Sequence, residues 1–106
     1  MSIASDLIRG HTDTIILSQL LTKDSYGYEI NKIILDKTDH AYELKEATLY
    51  SAFRRLEQLG YIMSYWGNEM TGARRRYYTI TPQGKIAYEK NKQDWENAKR
   101  LIDELI

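Results

Sequence analysis

The chain has 106 residues, with fifteen Lys and Arg against fifteen Asp and Glu, so its formal net charge is zero. A chain of this length forms one domain with a limited core, so a partner surface can add to its stability. The absence of Cys excludes a disulfide framework, a thiolate metal site and a Cys nucleophile. Zero net charge argues against a polycation that coats nucleic acid or membranes without selectivity, but it leaves room for a local basic patch.

Metal binding, membrane insertion and catalysis find little support in the composition. The two His, His11 and His40, form no HxxxH or HExxH motif, so we expect no metal site and no cofactor. Apolar runs are far shorter than the roughly 20 residues that span a bilayer, and the first residues lack a signal-peptide pattern. No Ser/His/Asp order, phosphate-binding Gly loop or pair of carboxylates stands out, which disfavours an enzyme. We expect a cytoplasmic domain without a membrane partner.

Apolar periodicity and turn residues predict the elements of the first half of the chain. In chain order they are a helix from 3 to about 22 that Gly10 can bend or weaken, an N-cap at Asp24 or Ser25, a helix from about 26 to 37, and a short strand at 42–44.

The second half opens with the third helix, from about 46 to 59. Its predicted inner face and stop are Leu49, Phe53, Leu56, Leu59 and then Gly60. Two β-type runs, 61–66 and 75–80, join through a polar loop over 67–72, and Thr81-Pro82 starts a last helix of about 36 Å. This order predicts a mainly α fold with a small β-hairpin (α+β), a winged helix-turn-helix. We expect a DNA-binding part over 1–81 and a dimerisation helix over 82–106 within one compact unit.

The third helix carries a polar face opposite its apolar one. That face and its flanks contain hydroxyls, an amide and two guanidinium groups, from Thr48, Tyr50, Ser51, Arg54, Arg55 and Gln58. Such donors read base edges and phosphates in a major groove. A solvated helix face would show the same residues, so this pattern alone leaves both interpretations open.

The hairpin supplies a second signal. Arg74, Arg75 and Arg76 form the densest charge run of the chain, directly after the Gly72-Ala73 turn. Since side chains alternate along a strand, the three cannot all enter a core. Basic residues at a wing can reach the DNA backbone or the minor groove, and an edge strand protected by positive charge is the alternative.

Three segments resemble the PadR-like transcriptional regulators. They are Tyr26-Gly27-Tyr28-Glu29-Ile30, then the run from Ala47 to Ile62 (ATLYSAFRRLEQLGYI), and the run from Gly72 to Gly84 (GARRRYYTITPQG). The motifs span about 26–84 in the family's order and spacing. The resemblance implies a dimeric winged-helix repressor, with the third helix in the major groove of double-stranded DNA and the Arg-bearing wing beside it.

The last helix carries a heptad seam. Its positions are spaced three and four apart, at Tyr88, Asn91, Trp95, Ala98, Ile102 and Leu105. We expect this seam to form a homodimer together with the apolar face of the first helix, although packing within one protomer is the alternative. Two-fold symmetry would place two reading helices about 34 Å apart and imply a palindromic operator.

Trp95 lies in the middle of that seam, where its flat ring could stack on a planar aromatic ligand or serve as an ordinary interface anchor. The chain looks closest to the short-tailed, multidrug-sensing subgroup of the family, which also has a Trp-Gly pair like Trp66-Gly67 before the wing loop. That likeness implies a drug pore lined by Trp95, and by position Leu7, Gly10 and Thr14. The subgroup has an acidic residue one turn after the Trp, where this chain has Lys99. A preference for cationic ligands is therefore in doubt, and Trp66 is expected to pack at the base of the hairpin.

Neutrality conceals a polarised chain. Residues 1–43 contain four basic and seven acidic residues, residues 44–85 seven and three, and residues 86–106 four and five. Positive charge is therefore concentrated on the predicted reading helix and wing. We expect a homodimeric DNA-binding repressor with a small aromatic effector; a winged helix that binds proteins without sensing a ligand is the alternative.

Overall fold

The computed structural model describes residues 5–67 and 74–106. The elements in chain order are α1 (Ser5–Arg9), α2 (Thr12–Gln19), α3 (Gly27–Lys37), α4 (Glu46–Gln58), β1 (Ile62–Trp66), β2 (Arg76–Ile80) and α5 (Pro82–Leu105). The predicted fold class is confirmed: the chain is mostly helical, with one antiparallel hairpin and a long C-terminal helix. Residues 68–72 of the predicted loop, with the Gly72-Ala73 turn and the first four residues, lie outside the described part.

The first predicted helix is two helices. α1 ends at Arg9, and a turn closes there because the His11 amide donates to the Ile8 carbonyl (2.8 Å) and the Thr12 hydroxyl donates to the Arg9 carbonyl (3.0 Å). Gly10, which has low helix propensity, lies at the break. α2 also stops at Gln19 rather than at 22. The break separates α1 from α2 at Gly10–His11, which we call the corner.

The predicted strand at 42–44 is wrong. The Asn31 side chain binds both backbone groups of Leu44, accepting from its N–H (2.8 Å) and donating to its carbonyl (2.7 Å). Those groups are therefore not available to a strand partner. The hairpin instead gains an isolated bridge between Ser25 and Tyr78. Ser25 is thus a bridge residue, and the N-cap of α3 is Tyr26 without a side-chain cap, so the prediction of Asp24 or Ser25 as N-cap is also wrong.

α4 ends as predicted at Gly60, which has a positive φ of 78°. The Tyr61 amide donates to the Leu56 carbonyl (2.9 Å) and the Gly60 amide donates to the Glu57 carbonyl (3.0 Å). This pair of bonds is a Schellman motif, which satisfies the last carbonyls of a helix. The prediction that Leu59 extends the inner face is wrong, because Leu59 lies beyond the last helical turn and is exposed.

α5 begins at Thr81-Pro82 as predicted. The Thr81 hydroxyl accepts a hydrogen bond from the Gly84 amide (3.0 Å) and donates to the Gly60 carbonyl (2.6 Å). A Cβ on Gly84 would lie 2.1 Å from the Tyr61 carbonyl oxygen, so the helix approaches β1 more closely than a side chain permits. The start of α5 is therefore held against the end of α4 and the hairpin.

The core lies between α2, α3, α4 and the inner face of the hairpin. Its central contact is a stack of Phe53 on Tyr78, with ring centroids 3.9 Å apart. Buried side chains from every element except α1 contribute, and they are Ile16, Leu17, Leu20, Ile30, Ile34, Leu44, Leu49, Ala52, Phe53, Leu56, Ile62, Tyr78 and Tyr88. This packing directs the opposite face of α4 towards solvent.

Candidate nucleic-acid interface and apolar cleft

The outward face of α4 contains the residues predicted to read DNA. Because Leu49, Phe53 and Leu56 are buried, helical spacing places the intervening positions outside. The exposed set comprises Thr48, Tyr50, Ser51, Arg54, Arg55 and Gln58. The structure therefore brings all the predicted residues of this helix to one solvent-facing surface.

The two arginines of α4 differ in their surroundings. Arg55 forms a two-pronged ion pair with Asp13 of α2, in which Nε donates to Oδ2 (3.1 Å) and Nη2 to Oδ1. These hydrogen bonds raise the pKa of Arg55 and hold its guanidinium towards α2. Within residues 5–67 and 74–106, Arg54 has no ion pair. Arg54 is therefore more available to a base edge than Arg55.

The three arginines of the hairpin, whose described part (62–67 and 74–80) we call the wing, also differ. Arg76 donates to the Ser64 hydroxyl (2.8 Å) and lies 3.5 Å from the Glu57 carboxylate, so it links the wing to α4. The guanidinium groups of all three lie over aromatic rings: Arg74 over Trp66 at 5.3 Å, Arg75 over Tyr26 at 4.8 Å and Arg76 over Tyr78 at 5.9 Å.

The expectation that Trp66 packs at the base of the hairpin is wrong. It pairs with Arg76 at the loop end of β1 and is 56% exposed. The antiparallel register places this end farthest from the Ile62–Ile80 pair that enters the core. Trp66 is thus a surface aromatic beside the wing arginines.

The outer side of the wing is fastened to the α2–α3 connection. The Tyr65 hydroxyl donates to the Asp24 carboxylate (2.5 Å), and this hydrogen bond raises the pKa of Tyr65. The Tyr77 ring lies between those of Tyr65 and Tyr26, with centroid distances of 5.7 and 5.3 Å. These contacts hold the wing against the α2–α3 connection and the start of α3.

A groove of about 440 Å³ lies between the wing and the start of α3, and Tyr50 of α4 completes its lining. We call it the wing groove; its lining is Tyr26, Gly27, Tyr28, Tyr50, Trp66, Arg74, Arg75 and Arg76. Tyr26, Tyr28 and Trp66 were absent from the predicted DNA-binding set. A signal for them existed, because interleaved aromatic and basic side chains are typical of surfaces that contact nucleic acid.

The seam of α5 divides into two halves. Tyr88 is buried against the core and Asn91 is half-buried, so the start of the seam packs within the protomer. From Trp95 onward the seam is exposed, with Trp95 at 44%, Ile102 at 53% and Leu105 at 76%. Ala98 is exposed as well.

An open apolar cleft of about 680 Å³ lies where Trp95 meets α1 and α2. Leu7 and Thr14 line it as predicted, whereas Gly10 does not. The His11 ring stands nearly perpendicular to Trp95, with centroids 4.9 Å apart. The other lining residues are Ile8, Ile15, Ser18, Gln19, Thr38, Ala41, Tyr42, Tyr88, Lys92 and Glu96. The prediction missed His11, which no continuous helical spacing connects to Leu7, because the helix breaks at Gly10–His11.

The charges of the cleft differ from the expectation based on Lys99. Lys99 does not line the cleft but pairs with Glu96, which does, at 3.1 Å. Lys92 also lines the cleft. Acidic and basic groups are therefore both present at its rim.

Metal ligands and membrane-spanning helices are both lacking in the described part of the chain. No group of three or more His, Asp or Glu side chains there is arranged to hold a metal ion. No described helix combines the length and apolar character that crossing a membrane requires.

The three helices α2, α3 and α4 are followed by a hairpin, and the polar face of α4 lies beside a basic wing. This arrangement defines the winged helix-turn-helix class. Residues 16–90 match the model of the transcriptional regulator PadR-like family. The chain belongs to this family, whose members bind DNA, are generally dimeric and are not enzymes.

Proteins similar in sequence match this chain over almost its whole length. A solved transcriptional regulator from Clostridium thermocellum is 55% identical, with a TM-score of 0.90 and 98% of both chains covered. A PadR family regulator from Clostridium difficile is 40% identical, with a TM-score of 0.79 over 91% of this chain and 98% of that one. A protein of Lysinibacillus sphaericus is 45% identical over 95% of this chain and 93% of its own.

Proposed function

We propose that this chain is a homodimeric transcriptional repressor that small planar aromatic molecules release from its operator. The observation that carries the proposal is that the molecule has two separate surfaces of different character, which share no lining residue. A polar, basic surface surrounds α4, and an apolar cleft contains Trp95. The first suits DNA and the second suits a flat ligand.

DNA binding would use α4 in the major groove with the wing beside it. Arg54, Thr48 and Ser51 are exposed on α4, and Arg74 and Arg75 lie at the loop end of the wing. Arg76 would contribute by fixing the wing, because it is bound to Ser64 and Glu57. We therefore assign Arg76 a positioning role and give the DNA contacts to the other residues.

Dimerisation would use the exposed half of the seam. Trp95, Ile102 and Leu105 are apolar and uncovered, and Leu7 on α1 is 76% exposed. Large exposed apolar patches on soluble proteins mark interaction surfaces. A second copy covers them symmetrically, and two-fold symmetry brings two α4 helices onto successive turns of a palindromic operator. This assignment makes 82–106 the dimerisation helix of the molecule.

The ligand would stack on Trp95 within the cleft, closed by the partner protomer as in a multidrug-sensing regulator. Leu7 and Thr14 supply wall contacts, and His11 offers a hydrogen bond beside the ring. Because Lys99 neutralises Glu96, Lys92 is the cleft cation left to favour neutral or anionic rings.

Release of DNA would follow from the position of α2. His11 and Thr14 face the cleft, whereas Asp13, between them in sequence, holds Arg55 of the reading helix. A ligand that shifts α2 would therefore shift a contact of α4. If the ligand binds the shifted state more tightly than the DNA-bound state, it favours release of DNA.

DNA binding is tested on fragments selected from genomic DNA. Replacing Arg74 and Arg75 by Gln should weaken operator binding and make its salt dependence shallower, by about 0.9 in log–log slope for each phosphate that is no longer neutralised. The matched control is K90Q/R100Q, which removes two charges from α5. Equal binding by both variants and the original chain would contradict the wing assignment.

Ligand binding is tested by Trp fluorescence with a ring system in three charge states: 9-aminoacridine, acridone and acridine-9-carboxylate. With Trp66 replaced by Phe, Trp95 is the sole remaining Trp, and acridone and the carboxylate should quench it more than the cation does. W95F, which retains Trp66, should lose the quenching while still binding DNA. Quenching that persists in W95F would remove Trp95 as the stacking platform.

A further inference from the structure

A second groove lies on the side of α4 that faces away from the wing. It has a volume of about 390 Å³ and is lined by Arg9, Thr12, Ala47, Thr48, Ser51 and Arg55. We call it the corner groove, since Arg9 and Thr12 flank the Gly10–His11 corner between α1 and α2. It shares no lining residue with the wing groove. The two grooves therefore flank the reading helix on two different sides.

The corner groove contains donors suited to one anion. The Thr12 hydroxyl already donates to the Arg9 carbonyl, and Arg55 is held by Asp13. Thr48 and Ser51 are exposed, and the Arg9 side chain is 73% exposed. One guanidinium and two hydroxyl groups thus converge on the groove.

Arg9 is paired with only a weak competitor within this region. Its Nη2 lies 2.6 Å from the Asp6 carboxylate, in an i,i+3 pair whose side chains are both largely in solvent. Such exposed pairs contribute little, because water screens the charges and the long side chains lose entropy. A phosphate can therefore replace Asp6 without leaving a buried carboxylate unpaired.

The geometry of B-DNA indicates which group would occupy the corner groove. A helix in the major groove, which is about 12 Å wide, lies between two phosphate backbones. If the wing and its groove face one backbone, the opposite flank of α4 faces the other. Phosphate contacts on both sides fix the register of a reading helix.

We propose that Arg9, with the hydroxyls of Thr48 and Ser51, binds a phosphate of the DNA strand that flanks α4 opposite the wing. This inference rests on the proposed DNA binding by α4 and adds a contact from α1, a helix that sequence reasoning assigned to the ligand and dimer surface. Arg9 is a backbone contact, so it supports affinity for every sequence equally.

The test is R9Q, measured by fluorescence anisotropy with the selected operator duplex and with an unrelated duplex. One phosphate contact is worth roughly fivefold in affinity at 0.15 M salt, so two in a dimer are worth on the order of 25-fold. R9Q should weaken both duplexes by this factor and reduce the salt slope by about two. The control R100Q removes the same charge from the end of α5 and should change neither quantity.

A second variant tests the same contact in the opposite direction. D6N removes the competitor of Arg9, so it should tighten binding, and this gain should shrink in the double variant D6N/R9Q. A D6N gain that is the same with and without Arg9 would mean that Asp6 acts only through general repulsion, which contradicts the proposal.

The outcomes separate this inference from the proposed function. Weakening by R74Q/R75Q without weakening by R9Q overturns the corner groove and leaves the wing assignment in place. If neither variant weakens binding, α4 and the wing do not form the DNA surface at all. Folding is checked by circular dichroism, because Arg9 is exposed and its replacement should leave the helical content unchanged.

Discussion

The surface formed by α4 and the wing, which we call the reading side, and the second half of α5 both expose side chains. The two surfaces are built differently. Around α4, exposed groups are held by partners in the same chain, as in Arg55 with Asp13 and Arg76 with Glu57. Along α5 beyond Trp95, the exposed groups of the seam are apolar and the ion pairs are local ones, such as Lys99 with Glu96.

The difference shows which of the two surfaces is held in place by contacts within a single protomer. The reading side is positioned by the core beneath it and by the fastened wing, so its geometry does not need a second molecule. The apolar end of α5 has no cover from its own chain in the described structure. These uncovered apolar side chains are the basis of the dimer proposal.

The largest test of this contrast compares truncations in the two regions. Phe53→Ala removes a buried ring stacked on Tyr78 and should lower the free energy of unfolding by about 3–5 kcal/mol. Leu105→Ala should change the free energy of unfolding of the protomer by less than about 0.5 kcal/mol, and it should raise the dissociation constant of the dimer. Urea unfolding at several protein concentrations and analytical ultracentrifugation measure both quantities. An equal loss in both variants at every concentration would abolish the contrast.

The junction of the two regions is tested at Gly84. A Cβ there would overlap the Tyr61 carbonyl oxygen, so Gly84→Ala should cost about 1–3 kcal/mol by overpacking. Gly10→Ala is the matched control, since a Cβ at that position meets nothing within 4 Å. Thermal unfolding should show a lower midpoint for the first variant and an unchanged or higher midpoint for the second. Equal midpoints would mean that α5 does not depend on this close approach.

The buried Tyr78 beneath α4 also predicts that the fold loses stability at alkaline pH. Burial raises the pKa of Tyr78 above its ordinary value of 10.0, so the neutral hydroxyl is favoured in the folded state. The stability due to this effect is complete below pH 10 and is lost as pH rises through the raised pKa. Tyr78→Phe should make the decline of the urea midpoint above pH 10 less steep. Midpoints that decline identically in both proteins would contradict this role.

The smallest expected effect concerns the outer fastening of the wing. Tyr65→Phe removes the hydrogen bond to Asp24 and keeps the ring stacked on Tyr77, so the free energy of unfolding should stay nearly constant. DNA affinity should fall a few-fold, because a less fixed wing loses more entropy on binding. Asp24→Asn should have a similar effect, and the double variant should add little. Additive losses would show that the two groups act separately.

Much of the fold followed from local patterns. Gly60 and Thr81-Pro82 determine where α4 ends and α5 begins, and both predictions are confirmed because capping depends on a few adjacent residues. The seam of α5 and the apolar face of α4 were also readable from spacing. The first helix was not, since its break depends on how the turn at Gly10 closes.

Other errors had tertiary causes. The strand at 42–44 fails because Asn31, far away in sequence, binds the backbone of Leu44. The error about Trp66 had no such cause, because a strand over 61–66 followed by a loop over 67–72 already places Trp66 at the loop end, as the register of the hairpin shows. His11 was missed as a cleft residue because its relation to Trp95 joins distant parts of the chain.

Three properties could be predicted from the sequence alone: the order of the elements, the family of the chain and the concentration of positive charge on α4 and the wing. These properties depend on spacing, caps and local composition, which are all read along the chain. The folded molecule was needed to show which arginines are held by carboxylates, which rings lie beside them, and which grooves form next to α4. Those features arise from contacts between residues distant in sequence, and a linear pattern carries no record of such contacts.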